Sequence, residues 1–503
     1  MEFIDARVLP PGDRLDADLC IVGAGAAGLA LAQALAGSGR RVTLLESGGL
    51  ERDPELQELN AGACIGVPYA DLRTAWLRQF GGTTNHWTAH TRPLDPIDFE
   101  PRAWVPESGW PISLAELAPF YEAAQRLLGL PEEPWSVERW EQAPSHRAWR
   151  FAGERIRPAV VQIVAERNRR LAQTLGPACR AAAHVQPYLH ATVRELVPDA
   201  AGRRVERMRV ATAPGRELEI RPREVVLAAG GIETARLLLL SASVEPRGLG
   251  NRRDLVGRFF SNHPEVEAGL LQLSRPEHAT RFHASRPHPA GEVYGVLQLA
   301  PELQRAERLP NLIFQLDLAV RQSPPRSEPF RVAERIGTVA SEIDGTGSAV
   351  PPRALPTYYL KVVSEAAPNR ESRVRLGEER DALGQQRVVL DWRVRDQDRI
   401  DIARGVRILA REVGACGIGR VFTRLSEESP PAAGTRSFHH LGTARMHPDP
   451  ERGVVDAECR VHGIENLWIA SSAVFPSYGS CNPTLTILAL TLRLAERLRA
   501  ARA

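Results

Sequence analysis

The sequence predicts an α/β fold in which a parallel sheet is assembled from separated segments, with a second, α+β unit inserted between them. Three observations support this prediction. A strand–turn–helix–strand unit lies near the N-terminus, a strand–turn–helix unit begins near residue 224, and a third apolar strand lies at 466–470. Because parallel strands need long crossovers, these segments fit one sheet, and the chain between them can fold separately.

The first unit begins with an apolar strand at 18–22 and ends with a second strand at 42–45. Between them stand a helix-compatible run, 29–35, and the turn Gly23-Ala24-Gly25-Ala26-Ala27-Gly28. In a G-x-G-x-x-G turn the glycines allow a tight turn, close approach to a pyrophosphate, and packing of helix on strand. Glu46 closes the second strand and would accept hydrogen bonds from ribose hydroxyls. The unit predicts dinucleotide binding and leaves FAD and NAD both open.

The rest of the chain favours FAD. An NAD domain would be expected to continue as regular βα repeats, whereas this pattern stops after Glu46 and resumes only at 224–231, followed by a helix over 233–241. A hairpin-like pair, 204–212 and 217–221, precedes it around Pro214-Gly215. A nucleotide domain made from three separated segments is typical of flavoproteins.

Composition excludes several classes of protein. Basic and acidic residues nearly cancel, 64 against 61, which gives no case for nucleic-acid binding. The six cysteines form no C-x-x-C pair, no apolar run approaches ~18 residues, and residues 1–15 lack a signal-like apolar core. We expect a cytoplasmic protein with no metal site and no membrane partner. Lys361 is the only lysine, which we interpret as codon bias of a GC-rich genome, with anion-binding arginines as the alternative.

Further motifs follow in a fixed order. They are Gly81-Gly82-Thr83-Thr84-Asn85-His86-Trp87-Thr88, His439-His440-Leu441-Gly442-Thr443-Ala444-Arg445-Met446, Gly453-Val454-Val455-Asp456 and Ser480-Cys481-Asn482-Pro483-Thr484. With the N-terminal fingerprint, they resemble the glucose–methanol–choline (GMC) oxidoreductases, FAD enzymes that oxidise alcohols. Within that family the chain looks most similar to the pyranose-oxidase-like branch, which includes bacterial sugar and glycoside oxidoreductases.

This resemblance implies a Rossmann-like FAD-binding domain of discontinuous segments, with an inserted α+β substrate-binding domain built on an antiparallel sheet. We place the FAD domain in 1–105, 190–265 and 437–503, cap elements in 106–189, and the substrate-binding domain in 266–436. Candidate strands of the inserted domain lie at 293–299, 312–318, 357–363, 372–376 and 387–391, with a helix over 400–413. Residues 319–353, rich in Pro, Ser and Arg, are a candidate lid.

The resemblance also assigns catalytic residues. His439 holds the first position of H-x-x-G-T, the general base of the family, and a neutral histidine suits proton abstraction near neutral pH. Asn482 matches a position that carries His or Asn, and its amide can donate to the substrate oxygen. We further predict Asn482 as the N-cap and Pro483 as the first residue of a final helix, whose positive N-terminus would favour reduced flavin.

The residues expected to contact FAD come from the fingerprint, the Gly-Gly-Thr-Thr segment and the later strands. They are Gly23, Gly25, Ala26, Ala27, Gly28, Glu46, Ser47, Gly82, Thr83, Asn85, His86, Trp87, Thr88, Val193, Ala229, Ser472, Ala473 and Thr484. In some relatives the histidine that matches His86 is bonded covalently to the flavin, and the sequence leaves both states open. Ser471 stands where an aspartate is common in the family.

The predicted reaction is oxidation of a secondary hydroxyl of a pyranose or glycoside to a ketone, with oxygen or another acceptor reoxidising FAD. The alternatives are the same chemistry on a non-sugar alcohol of a biosynthetic pathway, or a lyase or decarboxylase on the same fold. A decarboxylase would need a long apolar channel and would not need His439 with Asn482. We interpret His263 and His440 as structural. Three further histidines are expected on an exposed loop: His278, His283 and His288.

Overall fold

The structure is a computed structural model that describes residues 2–141, 144–289, 291–318 and 355–500. The predicted lid, 319–353, lies outside the described residues. The strands are β1 Ile4–Asp5, β2 Arg14–Val22, β3 Val42–Leu45, β4 Gly62–Gly66, β5 His90–Thr91, β6 Ile156–Val164, β7 Val185–Leu189, β8 Thr192–Pro198, β9 Val205–Ala213, β10 Arg216–Leu227, β11 Glu265–Leu273, β12 Arg286–His288, β13 Gly291–Leu299, β14 Leu312–Leu318, β15 Thr357–Ser364, β16 Arg373–Arg380, β17 Gln386–Trp392, β18 Gly419–Phe422 and β19 Leu467–Ile469.

The helices alternate with these strands mainly in the N-terminal half. They are α1 Ala26–Ala34, α2 Pro54–Gln57, α3 Leu72–Ala75, α4 Leu114–Leu127, α5 Val137–Trp140, α6 Glu166–Arg169, α7 Leu171–Thr174, α8 Gly176–Ala181, α9 Gly230–Leu240, α10 Pro301–Glu307, α11 Asp396–Ala415 and α12 Thr484–Ala500. Within the described ranges, no helix combines the length and apolar character needed to cross a bilayer.

The first sheet has the order β1-β7-β3-β2-β10-β9-β8, with β19 beside β10. Strands β1, β7, β3, β2, β10 and β19 run parallel, and β9 and β8 extend the sheet antiparallel. Ile21, Leu44 and Val226 are fully buried in its centre, because both faces of a parallel sheet are covered. The predicted assembly of one α/β sheet from separated segments is confirmed.

Strand β10 corrects one expectation. The hairpin strand at 217–221 and the strand at 224–227 were predicted as separate elements, whereas they form one strand through Pro222. Pairing with β9 ends at Ile220 and pairing with β19 starts at Val225. Proline, which has no N–H to donate, therefore lies where that edge of β10 is unpaired, and the strand can continue.

The second sheet is antiparallel, in the order β18-β11-β15-β14-β13-β6-β5 with β12 on β13. On one face, Val406 and Leu409 of α11 share an apolar cluster with Phe314 and Leu360 of the sheet. Residues that alternate with these, such as Gln315, line a cavity between this sheet and the first one. The inserted α+β unit on an antiparallel sheet is confirmed.

Two strands do not lie where they were expected. The predicted strands at 372–376 and 387–391 were placed in the inserted sheet, but β16 and β17 pair with each other and β17 pairs with β4. Val374, Leu390 and Trp392 belong to the apolar cluster that also contains Ile21. These strands pack on the first domain because their apolar faces are buried there.

His283 is also misplaced in the prediction. Instead of lying on an exposed loop, it is 3% exposed, and its Nδ1 lies 3.0 Å from the carbonyl oxygen of Gly295. Burial lowers the pKa of His283 to about 4. A buried neutral imidazole can donate one hydrogen bond to a carbonyl, which explains how it is tolerated in the sheet.

Candidate active site

One large cavity, about 740 Å³ in volume, lies between the two sheets. The ends of β2, β3 and β10 and the starts of α1, α9 and α12 border it on one side. The antiparallel sheet borders it on the other. Ligands of α/β sheets bind outside the carboxyl ends of the parallel strands, and this cavity has that position.

The glycine turn forms a cradle for a pyrophosphate. Gly23 has φ +102, and a Cβ there would lie 2.7 Å from the carbonyl oxygen of Ala228. A Cβ on Gly28 would lie 1.9 Å from the carbonyl oxygen of Gly23, which accounts for the close packing of α1 on β2. Beside Gly25, by contrast, only the Cα of Gly82 comes within 4.0 Å. The backbone at the start of α1 is therefore open, and a phosphate could approach it there.

Glu46 and Arg78 organise the adjacent part of the cavity. The Glu46 carboxylate accepts from the backbone N–H groups of Ala24 and Gly48, both at 2.9 Å. Burial raises the pKa of Glu46 above its usual value. Arg78, which the sequence analysis missed, donates to Ser47 Oγ at 3.0 Å. A buried arginine carries no pattern in sequence, so only its position three residues before the Gly-Gly-Thr-Thr motif could have pointed to it.

These groups fit FAD. The open backbone at α1 and the carboxylate of Glu46 suit the pyrophosphate and ribose of an adenine dinucleotide. Trp76 lines the cavity, and its buried indole N–H has no hydrogen-bond acceptor among the described residues. A bound group with acceptor atoms would supply one, because a buried indole N–H normally has a partner. Helix α12 begins at the cavity with Thr484, so its positive end lies at the same site.

Most of the predicted FAD contacts line this cavity. Those that do are Gly23, Gly25, Ala26, Ala27, Glu46, Ser47, Gly82, Thr83, His86, Trp87, Thr88, Val193, Ala229, Ser472 and Thr484. The other three lie behind it: Gly28 packs on Gly23, Asn85 donates to the carbonyl oxygen of Phe80, and the backbone N–H of Ala473 donates to Ser471. These three shape the cradle without bordering it.

His439 and Asn482 meet in the same cavity. Asn482 Nδ2 lies 3.2 Å from His439 Nε2, although the two residues are 43 positions apart. Helix α12 begins at Thr484, so the prediction that Pro483 is its first residue is wrong by one position. The Asn482 side chain is directed to the imidazole instead of capping the helix. Burial, together with the neighbouring His263, lowers the pKa of His439 well below its usual value.

His263 lies directly behind His439. The Nδ1 atoms of the two rings are 2.8 Å apart, and His263 Nε2 is 3.2 Å from the carbonyl oxygen of Gly479. Burial lowers the pKa of His263 to about 3, so both rings are neutral and each carries one N–H. The sequence interpretation treated His263 as structural. Its contact with His439, which joins residues 176 positions apart, has no signal in the sequence.

The hydrogen-bond partners fix the tautomers of both rings. A carbonyl oxygen only accepts, so His263 Nε2 carries the hydrogen and donates to Gly479. The bare Nδ1 of His263 must then accept from the Nδ1–H of His439. This leaves His439 Nε2 with a free lone pair, which accepts from the amide of Asn482. This arrangement of donors and acceptors leaves Nε2, the basic nitrogen of His439, on the side of the ring that faces the cavity.

His440 points elsewhere. Its Nε2 lies 2.9 Å from the hydroxyl oxygen of Tyr69, and burial lowers its pKa to about 3. A Cβ on Gly231 would lie 2.1 Å from the carbonyl oxygen of His440, so α9 packs tightly against this segment. No cluster of three or more His, Cys, Asp or Glu side chains that could hold a metal ion occurs among the described residues.

A buried charged network supports the loop that carries Gly479 and Asn482. Arg102 makes a bidentate pair with Glu365 at 2.7 and 2.8 Å, and Glu365 also accepts from the N–H of Gly479 at 3.3 Å. Asp98 accepts from Asn311 at 3.1 Å, beside this pair. Burial, together with Asp95 and Glu365, raises the pKa of Asp98 to about 7. The loop behind the histidines is thus held by side chains of several elements.

The opposite wall of the cavity is polar. It contains Glu265 of β11, Gln315 of β14 and Lys361 of β15, with the apolar Ile313 and Val363 beside them. Gln315 faces the cavity, whereas Tyr358 of β15 is buried in the cluster under α11. Glu265 and Lys361 were not among the predicted site residues. The available signal was the alternation of side chains along β15, which places Lys361 and Val363 on the same face of the sheet.

Comparisons with known proteins agree with this architecture. A family model described as FAD dependent oxidoreductase matches residues 18–249, and one described as GMC oxidoreductase matches residues 368–491. The 6'''-hydroxyparomomycin C oxidase of Streptomyces lividus is 28% identical, with 95% of this chain and 90% of the relative covered. The paromamine 6'-oxidase of Streptomyces fradiae is also 28% identical, with the same coverage.

Solved structures show the same fold. Pyridoxine 4-oxidase from Mesorbium loti superimposes with a TM-score of 0.58 over 96% of this chain and 99% of that chain, at 19% identity. The fold, the cradle and the family matches define an FAD-dependent oxidoreductase of CH–OH donors. The chain belongs to the GMC oxidoreductases, as the motifs indicated. Its cofactor is FAD.

Proposed function

We propose that this enzyme oxidises a secondary hydroxyl of a pyranose sugar or glycoside to a ketone. The observation that supports this most directly is the unprotonated Nε2 of His439 beside the Asn482 amide, in the cavity that holds the FAD cradle. Oxidation of an alcohol removes a hydroxyl proton and a hydride from the adjacent carbon. The chain supplies a base for the proton, in the same cavity in which the cofactor would accept the hydride.

Bound FAD supplies the hydride acceptor. His439 Nε2 takes the hydroxyl proton, because its other nitrogen already carries the hydrogen given to His263. Asn482 donates from Nδ2 to the substrate oxygen and so keeps that oxygen next to the base. In this role Asn482 exchanges its hydrogen bond to His439 for one to the substrate. His263 holds the ring in the tautomer that the reaction needs.

A sugar fits the chemistry of the cavity. The wall opposite His439 carries carboxylate, ammonium and amide groups, which can both donate to and accept from hydroxyls. Relatives that match along almost the whole chain are named as oxidases of paromamine and of a hydroxyparomomycin. Both observations support a polyhydroxylated substrate, and neither selects the carbon that is oxidised.

Anaerobic flavin reduction tests the proposal. Purified holoenzyme is mixed with a panel of monosaccharides, methyl glycosides and aminoglycosides, and the loss of flavin absorbance is followed by stopped flow. We expect at least one member to reduce the flavin, and His439→Ala to slow that reduction roughly 10²–10⁴-fold, the usual contribution of a positioned base. Analysis of the product by NMR identifies the oxidised carbon. If no member of the panel bleaches the flavin, the substrate assignment is wrong.

A further inference from the structure

The polar wall of the cavity contains a pair of opposite charges. Lys361 Nζ forms an ion pair with the carboxylate of Glu265, and both residues line the cavity. The side chain of Glu265 is 8% exposed and that of Lys361 30% exposed. In the β14–β15 register Gln315 lies opposite Lys361 on the same wall. The ion pair is therefore part of a built surface that faces the substrate space.

This pair lies within electrostatic range of the proposed base. Glu265 raises the pKa of His439 and Lys361 lowers it, so the two charges act on the imidazole in opposite directions. A pair placed in the cavity would be a costly way to gain stability, because two charges lose hydration for one interaction. Its placement instead suits recognition of a ligand that bonds both groups.

Lysine differs from arginine at this position in a way that matters. All other basic residues among the 64 are arginines, and arginine would grip the carboxylate with a bidentate fork. An ammonium group has three donors and a carboxylate about four acceptor sites. After bonding to each other, Lys361 and Glu265 each have capacity left for a ligand.

We propose that the Glu265–Lys361 ion pair is a substrate-binding subsite that selects uncharged, polyhydroxylated substrates. This inference rests on the proposed function and adds the charge class of the substrate. One hydroxyl donates to Glu265 and a neighbouring hydroxyl accepts from Lys361, which a vicinal diol can do at once. An ammonium substrate meets Lys361 as a like charge, and a carboxylate substrate meets Glu265. To bind, an ammonium substrate would have to displace Lys361 from Glu265, and a carboxylate substrate would have to displace Glu265 from Lys361.

Charge-exchange variants test this selection. Glu265→Gln leaves the ammonium of Lys361 unpaired, and Lys361→Met leaves the carboxylate unpaired. Binding of methyl glucoside, glucosamine and glucuronate to holoenzyme is measured from perturbation of the flavin spectrum. We expect the unmodified enzyme to bind methyl glucoside at least about tenfold more tightly than either charged sugar. Glu265→Gln should shift relative affinity toward glucuronate, and Lys361→Met toward glucosamine, each by about tenfold or more.

The double variant and matched controls separate recognition from folding. Glu265→Gln combined with Lys361→Met makes the wall neutral again, so the preference for methyl glucoside should return while its affinity falls. Glu302→Gln and Arg157→Met break an exposed pair whose atoms are 2.9 Å apart and that lies away from the cavity. These controls should leave the order of the three sugars unchanged.

Two results would overturn the inference. One is an unmodified enzyme that prefers glucosamine or glucuronate over methyl glucoside. The other is a set of single variants that retain flavin and thermal stability but keep the original order of affinities within twofold. Failure of the proposed function gives a different result: the sugars bind in the expected order, while neither these three nor the wider panel reduces the flavin.

Discussion

The arrangement of His263 behind His439 makes a quantitative prediction. His263→Leu removes the acceptor at 2.8 Å from His439 Nδ1 and leaves that N–H buried without a partner. Loss of one partner from a buried hydrogen bond costs about 1–3 kcal/mol. If that cost falls on the orientation and tautomer that proton transfer needs, flavin reduction slows by roughly 5- to 150-fold. The binding of substrate should change little, because His263 does not line the cavity.

Stopped-flow reduction with a saturating substrate measures this directly. His263→Asn is the informative companion, because its amide oxygen can still accept from His439 Nδ1, and we expect it to recover much of the lost rate. A pH profile supplies a readout that a merely structural role would not move. His263 helps to lower the pKa of His439, so its removal raises that pKa and moves the loss of rate at acidic pH upward.

His283→Leu is the matched control. His283 is also buried and bonded to a main-chain carbonyl, but it lies in the other domain and away from the cavity. The His283→Leu variant should have lower thermal stability but an unchanged rate of flavin reduction. The reasoning is refuted if His263→Leu retains flavin, stays folded and reduces it within twofold of the unmodified rate.

Four other measurements test separate parts of the structure. Because the pKa of His439 is lowered well below 6.5, the rate of flavin reduction should stay flat from about pH 6.5 upward, and an acid limb centred there would contradict a neutral buried base. Gly479 has φ +57, and a Cβ there would lie 2.2 Å from Asp98, so Gly479→Ala should destabilise the fold by about 2 kcal/mol or more in chemical denaturation and impair flavin reduction. Folded Asp98 keeps its proton to about pH 7, whereas an unfolded carboxyl loses it near pH 4, so this group lowers the melting temperature as pH rises between those values; Asp98→Asn should flatten that slope. Acid precipitation should release all yellow colour into the supernatant if FAD is not bonded to His86, and colour retained in the pellet would show a covalent link.

Local sequence patterns predicted the first domain well. Gly23 and Gly28 each have a conformational or contact requirement that only glycine meets, and the backbone at Gly25 is open, so the motif carries the geometry with it. The apolar runs of β3 and β14 begin and end at the predicted residues. Such features depend on neighbours within a few residues, and for that reason a single sequence encodes them.

The missed features depend on contacts between distant segments. Strand β17 pairs with β4, more than 300 residues earlier in the chain, and its own alternation does not say which sheet it joins. His263 comes near His439 because distant segments of the first domain fold together, and Lys361 does so because the second sheet packs against that domain. The identity of a histidine or a lysine shows what it can do chemically, whereas the fold determines what it can reach.

The row of hydrogen bonds behind His439 ends at the main-chain carbonyl of Gly479, which cannot take up a proton at any ordinary pH. A positive charge that arrives on His439 can spread to His263 but cannot leave by that route. The proton that His439 accepts in each turnover therefore stays on one of the two rings until it leaves through the cavity. Release of the proton and departure of the product both pass through the cavity, so the rate of turnover should respond to whatever fills or blocks it.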